Sequence, residues 1–208
     1  MASSVKKISG YYFITDSALS RAGNISDVKN AVSAGAGVVQ YRNKAGSTLE
    51  MYREALILRK ACRNTVFLVN DRLDIALSVN ADGVHIGQDD LPFQKAREML
   101  GKSRIIGVTA HNLKEALKAQ RLGADYIGFS PVFSTTTKKD AGKPAGTKLL
   151  AEIKSIVSIP VVAIGGITLS NAPDVIVAGA DSLCAISAVI CSRDVRAQIK
   201  KFQALFEL

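Results

Sequence analysis

Two acidic segments of this sequence have the composition of a metal site. Asp71 follows an apolar run, and Asp89 and Asp90 follow another apolar run further along the chain. Two carboxylates, together with phosphate oxygens and water, would give the octahedral oxygen coordination that Mg²⁺ prefers. The alternative is that Asp89 or Asp90 caps a helix that begins near Pro92.

A basic group could bind the negative charge of a phosphorylated molecule. Arg42 and Lys44 follow an apolar segment, and Lys138 lies in a loop of hydroxyl residues over 134–139. Arginine offers a bidentate fork to phosphate, and lysine offers a point charge. Glycines after the loop would allow it to close as a lid. The alternative is a solvated loop that binds nothing.

A third group is rich in glycine and could bind a phosphate through the backbone. Gly165-Gly166 follows one apolar run, and Ser187 follows another. Glycines let backbone N–H groups approach an anion closely, and a helix N-terminus adds a favourable dipole. The alternative is a tight turn without a ligand.

A recurring junction shows which elements must position these groups. A short stretch of small residues, often ending in Gly-Ala-Asp, is followed by a short apolar run, as at 123–129 and 179–186. This pattern is typical of a helix end followed by a buried strand. Eight strands are predicted, at residues 11–15, 38–42, 65–70, 84–86, 104–108, 126–129, 160–164 and 182–186.

Segments with the apolar spacing of helices separate these strands, as at 49–61 and 113–122. Strands that alternate with helices and are apolar on both faces indicate a parallel sheet. We therefore predict an α/β fold, a single compact (β/α)₈ TIM barrel over residues 1–208, and leave open that residues 1–9 are disordered. A doubly wound open sheet is the alternative, but no GxGxxG opens the first helix. The barrel would place all three groups at the C-terminal ends of its strands, where such folds carry their active sites.

Composition narrows the classes of partner. The chain has 27 Lys and Arg against 18 Asp and Glu, a formal charge of +9. The basic residues occur in short groups, and with no Trp and 6% aromatics the sequence favours small anionic ligands over nucleic acid. Three scattered cysteines fit buried thiols in a reducing cytoplasm, and no segment reads as a membrane helix. Whether the chain forms a homodimer stays open.

Several stretches together resemble the thiamine-phosphate synthase (thiamine-phosphate pyrophosphorylase) family. They include the pair Asn70-Asp71, the loop Gly87-Gln88-Asp89-Asp90 and the Thr-Lys loop, and they occur in the order typical of the family. The matching segments are residues 39–44, 69–72, 81–92, 124–129, 135–140 and 162–167.

The resemblance implies a role for each matching residue. Asp71 and Asp90 would bind Mg²⁺. The residues that would hold the pyrophosphate and the pyrimidine of one substrate are Gln40, Arg42, Lys44, Asn70 and Lys138. The residues that would contact the phosphate of a thiazole substrate are Thr135, Thr137, Gly166, Ile186 and Ser187. Thr109 stands where the family usually has serine, and it keeps the hydroxyl.

The implied activity is that of a transferase. A hydroxymethylpyrimidine pyrophosphate would lose pyrophosphate, and a thiazole phosphate would take its place through its ring nitrogen. Arg42, Lys44 and Lys138 would stabilise the departing charge. Ser130 and Ser134 depart from the family pattern, which puts the shape of the thiazole-phosphate loop in question.

Three other functions are weighed against this one. A thiazole tautomerase of the same fold would lack the metal and pyrophosphate motifs, whereas Asp71, Asp90 and Lys138 are present here. A sugar-phosphate isomerase or epimerase would need an acid–base pair, and none is evident. A binding module that senses thiamine intermediates would have no use for intact metal ligands.

Overall fold

The computed structural model describes residues 8–137 and 142–207. Its strands are β1 (Gly10–Ile14), β2 (Val38–Tyr41), β3 (Val66–Asn70), β4 (Gly83–Ile86), β5 (Ile105–Ala110), β6 (Tyr126–Phe129), β7 (Val161–Ile164) and β8 (Ser182–Cys184). The helices in these residues are α1 (Asn24–Ser33), α2 (Thr48–Ala61), α3 (Leu73–Ser78), α4 (Phe93–Leu100), α5 (Leu113–Leu122), α6 (Gly146–Ile156), α7 (Ala172–Val177), α8 (Ile186–Ile190) and α9 (Val195–Ala204).

The eight strands form a closed parallel barrel. Each strand pairs with the next one in the chain, and β1 closes the sheet by pairing with β8, with Tyr11 opposite Leu183. The prediction of a (β/α)₈ barrel is confirmed, and the open sheet is excluded. The last strand is shorter than predicted, because the chain leaves the sheet after Cys184 and turns into α8 at Ile186.

The core has two layers. The outer layer packs the helices against the sheet, and the inner layer fills the barrel with alternate strand residues such as Tyr12, Leu68 and Tyr126. Ile8 is buried in the inner layer, so the disorder left open for residues 1–9 does not include it. Residues 1–7 lie outside the described residues.

Two further expectations can be compared with the described residues. Within 8–137 and 142–207, no helix is long and apolar enough to cross a membrane. The cysteines are free, but only Cys62 and Cys184 are buried. Cys191 is exposed just after the short α8, so the expectation of three buried thiols is wrong for that residue.

Candidate active site

An open cavity of about 790 Å³ lies at the C-terminal ends of the strands. Its position follows from the barrel, since every strand ends at this face and the loops that follow surround the opening. Nine of the residues predicted from the sequence line it: Gln40, Arg42, Asn70, Thr109, Thr135, Thr137, Gly166, Ile186 and Ser187. The structure therefore brings together residues from both halves of the chain.

The floor of the cavity is largely apolar. Ile14, Ile164 and Cys184 contribute from the ends of β1, β7 and β8. They were not predicted as site residues, although the alternation of side chains along each strand could have placed them inside the barrel. An apolar floor beneath polar loops is typical of a small-molecule site.

The two predicted metal ligands lie beside each other at the rim of the barrel face that holds the cavity, although neither is among the residues that line it. Asp71 directly follows β3 with a φ of 59°, and its backbone N–H donates to the carbonyl of His85 on β4. Asp90 accepts a hydrogen bond of 2.7 Å from the backbone N–H of Gly87. Burial raises the pKa of Asp90, and the adjacent carboxyl of Asp71 raises it further. The carboxylates of Asp71 and Asp90, which follow different strands, are therefore adjacent in the structure.

A lysine partly balances this acidic pair. The Nζ atom of Lys44 lies 2.5 Å from Oδ2 of Asp71, and the lysine side chain is more than half exposed. The loop after β2 therefore meets the loop after β3 at the rim. A cation bound by the carboxylates and an anion bound by the lysine would be close neighbours here.

The two carboxylates suit Mg²⁺, which needs few protein ligands, better than they suit a metal ion whose ligands all come from the protein. Within residues 8–137 and 142–207, no group of three or more His, Cys, Asp and Glu side chains could hold a metal ion. Mg²⁺ commonly takes one or two carboxylates and completes its shell with water and substrate phosphate. Two neighbouring carboxylates, Asp71 and Asp90, meet that requirement.

The alternative role of the acidic loop, a helix cap, is not observed. Helix α4 begins at Phe93. Pro92 occupies the N-cap position, and no side chain caps the helix through a hydrogen bond. Asp89 is exposed, whereas Asp90 turns back to Gly87. Asp89 is therefore in contact with solvent, whereas the hydrogen bond to Gly87 holds the Asp90 carboxylate beside Asp71.

Arg42 is anchored through its backbone. The buried hydroxyl of Thr15 accepts a hydrogen bond of 2.8 Å from the N–H of Arg42 and donates one of 3.0 Å to its carbonyl. The guanidinium lies 3.6 Å from the carboxylate of Asp16. Thr15 and Asp16, which directly follow β1, therefore position the cation that follows β2.

Gly165 and Gly166, which follow β7, form another part of the cavity wall. Gly165 and Gly166 have φ values of 102° and 63°, in the left-handed region that favours glycine. A Cβ at Gly166 would collide with the carbonyl oxygen of Ser134 and with Phe133. The Asn171 amide donates a hydrogen bond of 3.0 Å to the Gly166 carbonyl. The close approach of two loops thus requires glycine here.

A chain of buried hydrogen bonds runs beneath the cavity. The Gln40 amide donates to the Tyr12 hydroxyl at 2.7 Å, and the hydroxyls of Tyr12 and Tyr126 are 2.7 Å apart. Tyr126 is 2.9 Å from Nδ1 of His85, and Nε2 of His85 is 2.9 Å from the Thr109 hydroxyl. A histidine inside an apolar strand, such as His85, is expected to be packed and hydrogen-bonded, as it is here, whereas nothing in the sequence indicates the two tyrosine hydroxyls.

Besides Lys44, Asp71 and Asp90 at the rim, two further candidates are not among the described residues that line the cavity. Lys138 lies outside the described residues. His111 directly follows β5, a position from which it could contact a substrate, but it pairs through Nδ1 with Glu115 at 2.8 Å and is not among the residues that line the cavity. Burial works against the Glu115 anion, but hydrogen bonds from His111 and Asn112 outweigh it and lower the pKa of Glu115.

Comparison with known proteins identifies the family of the chain. Residues 11–189 match the family model described as thiamine monophosphate synthase. The thiamine-phosphate synthase of Methanosarcina barkeri is 52% identical over 96% of this chain and 91% of its own, and that of Methanosarcina mazei is 51% identical over 97% and 85%. The structure of a thiamine phosphate pyrophosphorylase from Pyrococcus furiosus superposes with a TM-score of 0.89 at 40% identity, covering 95% of both chains.

These findings confirm the resemblance drawn from the motifs, and with it the prediction of a transferase. The matched region includes every described residue that lines the cavity. The chain belongs to the thiamine monophosphate synthase family.

Proposed function

We propose that the protein joins 4-amino-5-hydroxymethyl-2-methylpyrimidine pyrophosphate to hydroxyethylthiazole phosphate, forming thiamine phosphate and pyrophosphate. One observation carries this proposal. A single cavity is lined by a buried amide, Gln40, and by a glycine turn at Gly166, and the carboxylate pair lies beside it, Asp71 directly following Asn70 of the lining. Two phosphorylated molecules could meet there with their phosphates apart.

The basic residues would hold the pyrophosphate. Breaking the carbon–oxygen bond leaves negative charge on the departing group, and fixed positive charges stabilise it. Arg42, held by Thr15, and Lys44, at the rim, are the described side chains suited to this role. We assign the same role to Lys138 from the family resemblance.

The acidic pair would hold Mg²⁺. Bound by Asp71 and Asp90, Mg²⁺ would neutralise charge on the pyrophosphate oxygens and so assist its departure. The hydrogen bond from Gly87 fixes the Asp90 carboxylate, and the turn at Asp71 fixes the other.

The cavity would favour a dissociative path. The electron-rich aminopyrimidine can bear positive charge at its methylene carbon once pyrophosphate has left. The apolar floor made by Ile14 and Ile164 would exclude the water that could trap this cation. The thiazole nitrogen attacks through a free lone pair, so the protein needs no general base.

The thiazole phosphate would bind at the glycine turn. Thr135 and Thr137 offer hydroxyls from one loop, and Gly166 and Ser187 offer backbone from two others.

A cytoplasmic location is part of the proposal and is supported by three free cysteines.

A coupled assay tests the proposal. Purified protein is mixed with both substrates, with and without Mg²⁺, and thiamine phosphate and pyrophosphate are followed together. Equal amounts of both products, formed only with Mg²⁺, are expected. A folded protein that gives no product would overturn the proposal, and tautomerisation of the thiazole would then be assayed.

A further inference from the structure

The buried chain of hydrogen bonds beneath the cavity has a direction. Because Nε2 of Gln40 donates to the Tyr12 hydroxyl, that hydroxyl is left to donate to Tyr126. For Tyr126 to be satisfied in turn, its hydroxyl must donate to Nδ1 of His85, which requires the His85 proton on Nε2, from where it is donated to Thr109. Every member of the chain is thereby satisfied in a single arrangement.

The chain leaves a defined pattern of groups at the cavity. With one amide hydrogen directed to Tyr12, Gln40 has its carbonyl oxygen and its second amide hydrogen available to a ligand. A side-chain amide in this state can pair with an edge that offers an amino donor next to a ring-nitrogen acceptor, as glutamine does with adenine. A 4-aminopyrimidine has such an edge, whereas a 4-oxopyrimidine presents the reverse pattern.

Two glycines on neighbouring strands leave the space that the side chains of this hydrogen-bonded chain occupy. A Cβ at Gly107 of β5 would overlap the Tyr126 ring, and one at Gly128 of β6 would lie 2.8 Å from Cε1 of His85. Tyr12 and Tyr126 are 1% and 0% exposed. Burial raises the pKa of both hydroxyls, so both stay protonated as donors. In such surroundings an unpaired hydroxyl is costly, which couples the members of the chain to one another.

We propose that Tyr12, Tyr126 and His85 are positioning residues that fix the orientation of the Gln40 amide and so select a 4-aminopyrimidine over a 4-oxopyrimidine. This inference rests on the proposed function. Accepting the oxo form would require the Gln40 amide to turn over. Tyr12, Tyr126 and His85 would then have to exchange donor and acceptor roles together, including a change of the His85 tautomer.

Cutting the chain should release this constraint. In Tyr126→Phe, the Tyr12 hydroxyl no longer has to donate to residue 126 and can donate to Gln40 instead. The amide can then present either pattern. Tyr12→Phe cuts the chain one link nearer to Gln40 and should act in the same way.

Calorimetric titration can measure this selectivity without turnover. The probes are the monophosphates of 4-amino- and 4-oxo-5-hydroxymethyl-2-methylpyrimidine, and the result is the ratio of their Kd values. We expect the preference for the amino form to fall about tenfold in each variant, the effect of one buried hydrogen bond. A purely structural role would weaken both probes equally and leave the ratio unchanged.

Tyr41→Phe is the matched control. Tyr41 neighbours Gln40 on β2 and is buried, but its hydroxyl donates to Glu54 on α2. Its loss removes a buried tyrosine hydroxyl outside the chain, so the ratio should stay at the wild-type value. An unchanged ratio in Tyr126→Phe and Tyr12→Phe would overturn the proposal.

A measurement on the unaltered protein provides a second test. The sequence has two histidines, so ¹⁵N-histidine labelling gives two ring systems, and His111→Gln assigns them. The inference requires His85 to be protonated on Nε2 and bare on Nδ1, and the reverse tautomer would overturn it even if a variant failed to fold. A wild-type protein that couples no substrates, yet shows this tautomer, would contradict the proposed function instead.

Discussion

The Oδ2 atom of Asp181 accepts a hydrogen bond of 2.8 Å from the backbone N–H of Val161. Asp181 precedes β8 and Val161 begins β7, so the carboxylate ties the N-terminal ends of two neighbouring strands. Lys154 of α6 approaches the same oxygen at 2.6 Å. Asp125 holds Ile106 in the same way, also at 2.8 Å.

We expect Asp181→Ala to lower the free energy of unfolding by about 1–3 kcal/mol, because it leaves the Val161 N–H without its partner. Urea denaturation measures the change. Glu152→Ala, which removes an exposed carboxylate on the same α6, should change stability by less than about 0.5 kcal/mol. Equal effects of the two substitutions would show that Asp181 does not tie the strands.

An aspartate directly precedes both β6 and β8, and its position could be predicted from the sequence although its hydrogen bond could not. The small-residue junctions located the strands because a helix end and a buried strand each have a local signature, and β6 was predicted to the residue. The function of the aspartate was not visible. It depends on which strand lies alongside, and Asp181 and Val161 are separated along the chain by a whole helix.

The same distinction holds for the candidate site. Asp71, Asp90 and Gly166 were predicted because each follows a strand, and a barrel gathers its strand ends at one face. Tyr12 and Tyr126 were missed because a tyrosine in an apolar strand reads as core. Only the crossing of the barrel interior brings their hydroxyls together from positions 114 residues apart.

The acidic pair predicts a specific metal dependence. Asp71→Asn removes a charge that the proposed Mg²⁺ needs, while keeping the size of the side chain. We expect the Mg²⁺ concentration for half-maximal coupling to rise about tenfold or more. Titration of the coupled assay with MgCl₂ measures it.

Asp89→Asn is the control for this prediction. Asp89 adjoins Asp90 but is exposed, so Asp89→Asn removes one negative charge next to the pair while leaving both of its carboxylates in place. Its Mg²⁺ requirement should match that of the wild type. If both variants behaved alike, the carboxylate pair would be excluded as the metal site.

The glycine turn predicts an effect on one substrate only. In Gly166→Ala, the new Cβ would meet the Ser134 carbonyl, and the residue would be held at a φ of 63°. We expect the KM for the thiazole phosphate to rise about tenfold or more, with the KM for the pyrimidine substrate nearly unchanged, because a displaced loop loses backbone contacts to phosphate.

Gly35→Ala separates this effect from backbone strain. Gly35 also has a positive φ, 84°, but a Cβ there would meet nothing within 4 Å, and it lies before β2, away from the cavity. It should lower stability and leave both KM values unchanged. A general loss of activity in both variants would count against a phosphate site at Gly166.

Arg42 tests whether fork geometry or charge alone is needed for the pyrophosphate. The Thr15 hydroxyl holds the backbone of residue 42 whatever its side chain, so Arg42→Lys keeps both the position and the charge. It removes the bidentate fork. We expect kcat/KM to fall about tenfold, mainly through kcat, since the charge on the pyrophosphate grows as the bond breaks. Arg53→Lys, on the exposed face of α2, should leave kcat/KM unchanged. A wild-type rate in Arg42→Lys would mean that a point charge is sufficient, and the bidentate contact proposed for this residue would be wrong.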